Sequence, residues 1–109
     1  MVKYSRYRLD LAFGALAHPI RRGILARLAS GETTVAELAR PHKVSAPAIS
    51  KHLRILEQAG LMSRRKRGRE RVCRIEAERM KEAQGWIEGQ RALWNRRLDA
   101  LEKYLKENP

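Results

Sequence analysis

Helix punctuation divides residues 19–60 at intervals too short for any long element. Pro19, Pro41 and Pro47, with Gly31 and Gly60, stand between apolar runs that repeat every three or four residues. Proline suits the first turn of a helix, where its missing N–H would have no partner anyway, and glycine suits the position just past the end. The chain is thereby confined to a cluster of short helices. Arg8 to Ala17 reads as the first, with Leu9, Ala12, Phe13 and Leu16 on one face. Pro19 opens a second, striped by Ile20, Ile24, Leu25 and Leu28 and ended by Gly31. Thr34 followed by Glu37 has the pattern of a reciprocal cap and opens a short third helix through Arg40, stopped by Pro41. Ser45 caps a fourth, with Pro47 in its first turn and Gly60 after its end.

The period then changes. Leu61–Arg65 and Arg71–Ile75 read as two strands around a turn at Arg67-Gly68-Arg69-Glu70. From Ala77 to Glu107 the three-and-four spacing returns at Met80, Ala83, Ile87, Trp94, Leu98, Leu101 and Leu105, widened by Trp86 and Leu93. The expected architecture is mainly α with a small β-hairpin, one domain over residues 1–109, divided into a core with hairpin (9–76) and a long last helix (77–107). That helix carries more apolar surface than so small a core can cover. A second copy of the chain is the expected cover. Leu9, Phe13, Leu16, Trp86, Ile87, Trp94, Leu98, Leu101 and Leu105 are the expected dimer residues.

Charge separates two surfaces along the chain. The net charge is +12 over 109 residues, which calls for a polyanionic partner, nucleic acid before an anionic membrane surface. Residues 63–75 hold seven basic residues against one acidic, whereas residues 76–109 hold seven of each. The single cysteine, Cys73, excludes a disulfide framework within the chain and suits a reducing cytoplasm. No apolar run approaches the length of a membrane span, so no membrane partner is expected. Lys3, Arg6 and Arg8 before LAFGALA imitate a secretory leader, but the apolar part is short and follows Asp10 closely. The RRKR run imitates a nuclear localisation signal, but it lies inside a strand pattern.

The fourth helix has two unlike faces. Ile49, Leu53, Leu56 and Gly60 line up for burial against Leu25, Leu28, Val35 and Leu38. Opposite stand Ala46, Pro47, Ser50, Lys51, Arg54 and Gln58. Small residues at a helix N-terminus let the backbone approach a major groove closely, and short donors reach base edges or phosphates. The alternative is a solvated face. The neighbouring hairpin favours DNA: Arg64, Arg65, Lys66, Arg67, Arg69, Arg71 and Arg74 cannot all be paired by Glu70, and such a loop suits a phosphate strand or a minor groove.

AHPIRRGILARL (17–28), TVAELA (34–39), SAPAISKHLRILEQAGL (45–61) and the arginine hairpin together resemble the ArsR/SmtB family of bacterial winged helix-turn-helix repressors, over residues 9–76. The last helix is similar to that family's dimerisation helix. The resemblance implies a homodimeric repressor that binds an operator in double-stranded DNA, expected to be an inverted repeat, and is released by an inducer. Ser45, Ala46, Pro47, Ser50, Lys51, His52 and Arg54, with Arg64, Arg65, Lys66, Arg67, Arg69 and Arg71, are the expected DNA contacts.

The chain departs from the family's metal sensors. The positions of a Cys-x-Cys in the third helix hold Thr34 and Ala36, and residues 77–109 contain no histidine; His18, His42 and His52 lie elsewhere. Thiolates and imidazoles at ligand spacing are what Zn²⁺ and softer metals need. No metal site, no cofactor and no catalytic residue is expected, since no nucleophile–base set, paired carboxylates or phosphate loop stands out. Individual residues leave alternatives open. His52 reads as a phosphate or base contact or as a packed histidine, and Cys73 as a redox switch among arginines or a small strand residue. Trp86 and Trp94 read as walls of a ligand site or as dimer-core aromatics. An architectural or RNA-associated basic protein is the alternative function.

Overall fold

A computed structural model describes residues 6–109 of the chain. Lys3, part of the leader-like stretch, lies outside the described residues. The elements run α1 (Arg6–Leu16), α2 (Pro19–Leu28), β1 (Thr33–Thr34), α3 (Val35–Ala39), α4 (Ala46–Gln58), β2 (Met62–Arg67), β3 (Glu70–Ile75) and α5 (Ala77–Glu107).

The punctuation acts where the chain places it. His18, Thr34 and Ser45 cap α2, α3 and α4 with side-chain acceptors. The cap of α3 is one-sided: Thr34 Oγ1 accepts from the Glu37 N–H at 3.2 Å, while the Glu37 carboxylate turns to Arg40 at 2.6 Å. Gly60, at φ +74°, ends α4 with two reversed bonds, Gly60 N–H to the Glu57 carbonyl and Leu61 N–H to the Leu56 carbonyl. A Cβ there would meet the Arg79 side chain at 2.8 Å, on top of the strain of a left-handed backbone.

The hairpin reaches closer to its tip than the sequence pattern suggests. Arg67 pairs with Glu70, leaving a two-residue loop, Gly68-Arg69. Gly68 has φ +65° and Arg69 does not share its sign, the pattern of a type II′ turn whose twist matches the strands. The two-residue β1, which no periodicity announces, adds a third strand in the order β1-β3-β2, pairing Thr33 with Cys73 and Thr34 with Val72. It ties the base of the hairpin to the start of α3.

One core joins these elements. Leu25, Leu28, Leu38, Ile49, Leu53, Leu56, Leu61 and Cys73 are buried together with Ala12 and Ala15 of α1, and Val35 packs against them half-buried. The base of α5 closes over α1: Ala83 is buried, the Phe13 and Trp86 rings meet edge to face at 5.6 Å, and Arg8 pairs with Glu82 at 3.0 Å. Beyond Trp86, α5 leaves the core. At 31 residues it spans about 46 Å. The radius of gyration is 19.0 Å, whereas a compact chain of this length has about 13 Å.

Candidate nucleic-acid interface

The core fixes which way α4 faces. With Ile49, Leu53 and Leu56 buried, Ala46, Pro47, Lys51 and Arg54 are exposed on the other side, and Ser50 and His52 lie half-buried at its edges. Ser45 is exposed, but its Oγ accepts the Ala48 N–H at 3.2 Å and so builds the helix start. The exposed N-terminal half presents small side chains and cations. Lys51 and Arg54 have no ion-pair partner among the described residues.

The hairpin arginines divide into two groups. Glu70 pairs with none of them; carboxylates from other elements do. Glu57 of α4 accepts Arg64 Nε at 2.8 Å, and that arginine's side chain is only 19% exposed. Arg64 is turned inward and its charge is met, contrary to the expectation that it faces DNA. Arg65 and Arg67, two residues apart and so on one face, share Glu32 at 3.0 and 3.8 Å. Arg74 pairs with Glu76, whose carboxyl is held below its ordinary range by the Ser63 hydroxyl first and Arg74 second. Lys66, Arg69 and Arg71 remain exposed without a carboxylate partner among the described residues. Lys66 and Arg71 are direct cross-strand neighbours. Like charges opposite each other weaken a sheet unless an anion lies between or along them.

His52 is held from within the protein. Arg21 Nη1 lies 3.1 Å from His52 Nδ1, and because a guanidinium only donates, that nitrogen accepts. The His18 ring stands 4.5 Å away, tilted 49°. His18 Nδ1 in turn accepts the Ile20 N–H at 3.1 Å and caps α2. Burial first, then His18, Arg21, Lys51 and His42, lower the His52 pKa. Arg21 and Arg22 carry roles that sequence reasoning did not assign. Arg21 also reaches the Ala15 and Gly14 carbonyls at 2.7 and 3.2 Å, and Arg22 reaches the Leu16 carbonyl at 2.8 Å, so both cap the end of α1. The signal was the paired arginine one turn after a helix stop, in the AHPIRR box.

Cys73 is fully buried in the core, and burial pushes its thiol up, with the opposing pull of Arg64 smaller. A redox switch needs an exposed thiolate, so this placement removes the basis for that reading.

A family model described as a helix-turn-helix domain matches residues 16–65. The HTH-type transcriptional regulator Rv2034 of Mycobacterium tuberculosis is 47% identical over 73 residues, 66% of this chain and 68% of that protein. The crystal structure of the ArsR family transcriptional regulator RHA00566 superposes with a TM-score of 0.81 at 40% identity, covering 87% of this chain and 97% of that one. This chain is an ArsR-family protein. The homodimeric winged helix-turn-helix DNA-binding domain Mb0332 from Mycobacterium bovis superposes with a TM-score of 0.62 at 26% identity, covering 85% of this chain and 94% of that one.

In the terms of the ArsR family, α3 and α4 are the helix-turn-helix, β2–β3 is the wing, and the protein is a DNA-binding transcriptional regulator rather than an enzyme. Among the described residues, no group of three or more His, Cys, Asp or Glu is placed to hold a metal ion, and no helix is long and apolar enough to cross a membrane.

Proposed function

We propose that this ArsR-family protein is a cytoplasmic, homodimeric repressor that recognises an inverted repeat in double-stranded DNA and responds to a signal other than a metal. The observation that carries the reading is the unneutralised cationic surface. Lys51 and Arg54 on α4 and Lys66, Arg69 and Arg71 on the wing have no carboxylate partner among the described residues. Ala46, Pro47, Ser50 and Arg54 read base edges in the major groove, helped by the small size of the first two. Lys51 and the wing cations lie on phosphates or in the minor groove, with Arg65 and Arg67 joining them by exchanging Glu32 for a phosphate.

The exposed outer half of α5 supports the reading of residues 77–107 as the dimerisation helix of a unit that spans 1–109. Two copies place two α4 helices on half-sites about one helical turn, or a multiple of it, apart. The homodimeric Mb0332 domain supports this.

Selection from a random duplex pool, followed by footprinting with nonspecific competitor, tests the reading. One protected inverted repeat is expected, with a log–log salt slope near −7 for about 8 phosphates. Uniform coating with no discrete footprint would instead assign the protein an architectural or RNA-associated role.

A further inference from the structure

The apolar packing of Ile49, Leu53 and Leu56 sets which face of α4 points outward, but it is not directional, so polar contacts are left to set the finer rotation of the helix in its seat. Two polar contacts bracket it. Arg64 holds Glu57 near the C-terminal end, and Arg21 holds His52 in the middle. The second contact is unusual in its reach. Arg21 stands on α2, and all three guanidinium nitrogens are used: Nε on the Ala15 carbonyl, Nη2 on the Gly14 carbonyl and Nη1 on His52 Nδ1, at 2.7, 3.2 and 3.1 Å. One side chain therefore joins the end of α1, the start of α2 and the flank of α4. His52 is next to Lys51 and two residues from Ser50 and Arg54, all on or beside the outward face of α4.

We propose that Arg21 is a positioning residue for operator reading, holding α4 at a fixed rotation relative to α1 through the Nδ1 of His52. The role rests on the reading of α4 as the helix that enters the major groove. Because α1 also carries the base of α5 through Phe13–Trp86 and Arg8–Glu82, the same clasp sets the recognition helix against the dimerisation helix. A flat planar fork does this and an ammonium does not, since a lysine offers one point and cannot span two carbonyls and a ring nitrogen.

The clasp needs a neutral imidazole with its proton on Nε2. The groups facing His52 are His18 before α2, Arg21 on α2, Lys51 on α4 itself and His42 after α3, and none of them is acidic. Burial and these neighbours hold the ring's pKa below the ordinary 6.5, so it accepts at neutral pH. Protonation puts a donor against a guanidinium and opens the clasp. A histidine that instead touched phosphate would act in the opposite sense, because an imidazolium binds a phosphate better than an imidazole does.

The test is a double-mutant cycle, read on the duplex that the wild-type protein selects from a random pool and on an unselected duplex. R21K and H52A should each weaken binding to the selected duplex by about tenfold, the scale of one charge-assisted bond, and the double variant should bind no worse than either. H52N, whose Oδ1 can stand where Nδ1 stands, should restore binding. Affinity for the unselected duplex should stay near wild type throughout. Wild-type operator affinity should fall on acidification, in a range that lies below the ordinary histidine pKa, and H52N should lose that fall. Imidazole ¹⁵N resonances of the free protein should show an unprotonated Nδ1 at His52, a readout independent of DNA and of whether a variant folds. Additive losses, H52N as weak as H52A, affinity that rises on acidification, or a proton on Nδ1 would each overturn the clasp while leaving α4 as the reader. A wild-type protein that selects no sequence would overturn both.

Discussion

The helix α4 and the outer half of α5 carry the same local pattern and meet opposite fates. Both repeat large apolar residues every three or four positions. In α4, Ile49, Leu53 and Leu56 are buried, whereas in α5, Trp94, Leu98, Leu101 and Leu105 remain 61, 56, 53 and 56% exposed. The difference lies in what can reach each helix. Around α4 the chain returns three times, with α1–α2, with α3 and with the sheet. Among the described residues, nothing returns to bury α5 beyond Trp86. Covering a half-exposed leucine is worth about 1 kcal/mol, and a two-fold partner would cover every such residue twice. An amphipathic stripe therefore states that a surface must be covered, and only the rest of the fold states by whom.

Breaking the buried stripe should have the largest effect. Leu53→Ala leaves a cavity in a fully packed core and should cost about 2–5 kcal/mol of folding free energy in denaturant titration. A loss under about 1 kcal/mol would mean that α4 is not seated as described. The exposed stripe should respond otherwise. Leu101→Glu should leave the helix-turn-helix core folded by circular dichroism but give a monomer in sedimentation, with operator affinity reduced on the order of 100-fold as two linked half-sites become two weak ones. A Leu101→Glu dimer with normal operator binding would end the assignment of α5 as the dimer helix.

The smallest contrast lies within the wing. Arg69→Ala should make the salt slope shallower by up to ~2 in the dimer, which loses two phosphate contacts, and should weaken all sequences alike. Arg64→Ala should leave the slope unchanged and instead lower stability, because it strands Glu57 half-buried without its partner. Equal slopes for Arg69→Ala and wild type would take that arginine off the DNA.

The helices were legible because their signals act within a turn. Pro19, Thr34, Ser45, Pro47 and Gly60 satisfy or remove backbone groups next to themselves, so their effect needs no tertiary partner. The two faces of α4 and the length of α5 follow from period alone. The net charge of the hairpin was equally plain, but which of its cations are free was not. Glu57 and Glu32 lie 7 and 33 residues from the arginines they hold, and no spacing rule brings them there. The strand β1 is two residues long and exists only because β3 lies beside it. Cys73 is sealed because helices pack over its face of the sheet, which its neighbours in sequence do not state.

By itself the sequence determined a set of short capped helices, a basic hairpin and an amphipathic helix in need of a partner, because caps, turns and periodicity are set by neighbouring residues. Tertiary structure alone decided that Arg64 is internal while Arg69 has no carboxylate partner among the described residues, that Cys73 is sealed, and that Arg21 and His52 meet. Each of those outcomes depends on distance between elements far apart in the chain, and both burial and ion pairing fall off within a few ångströms.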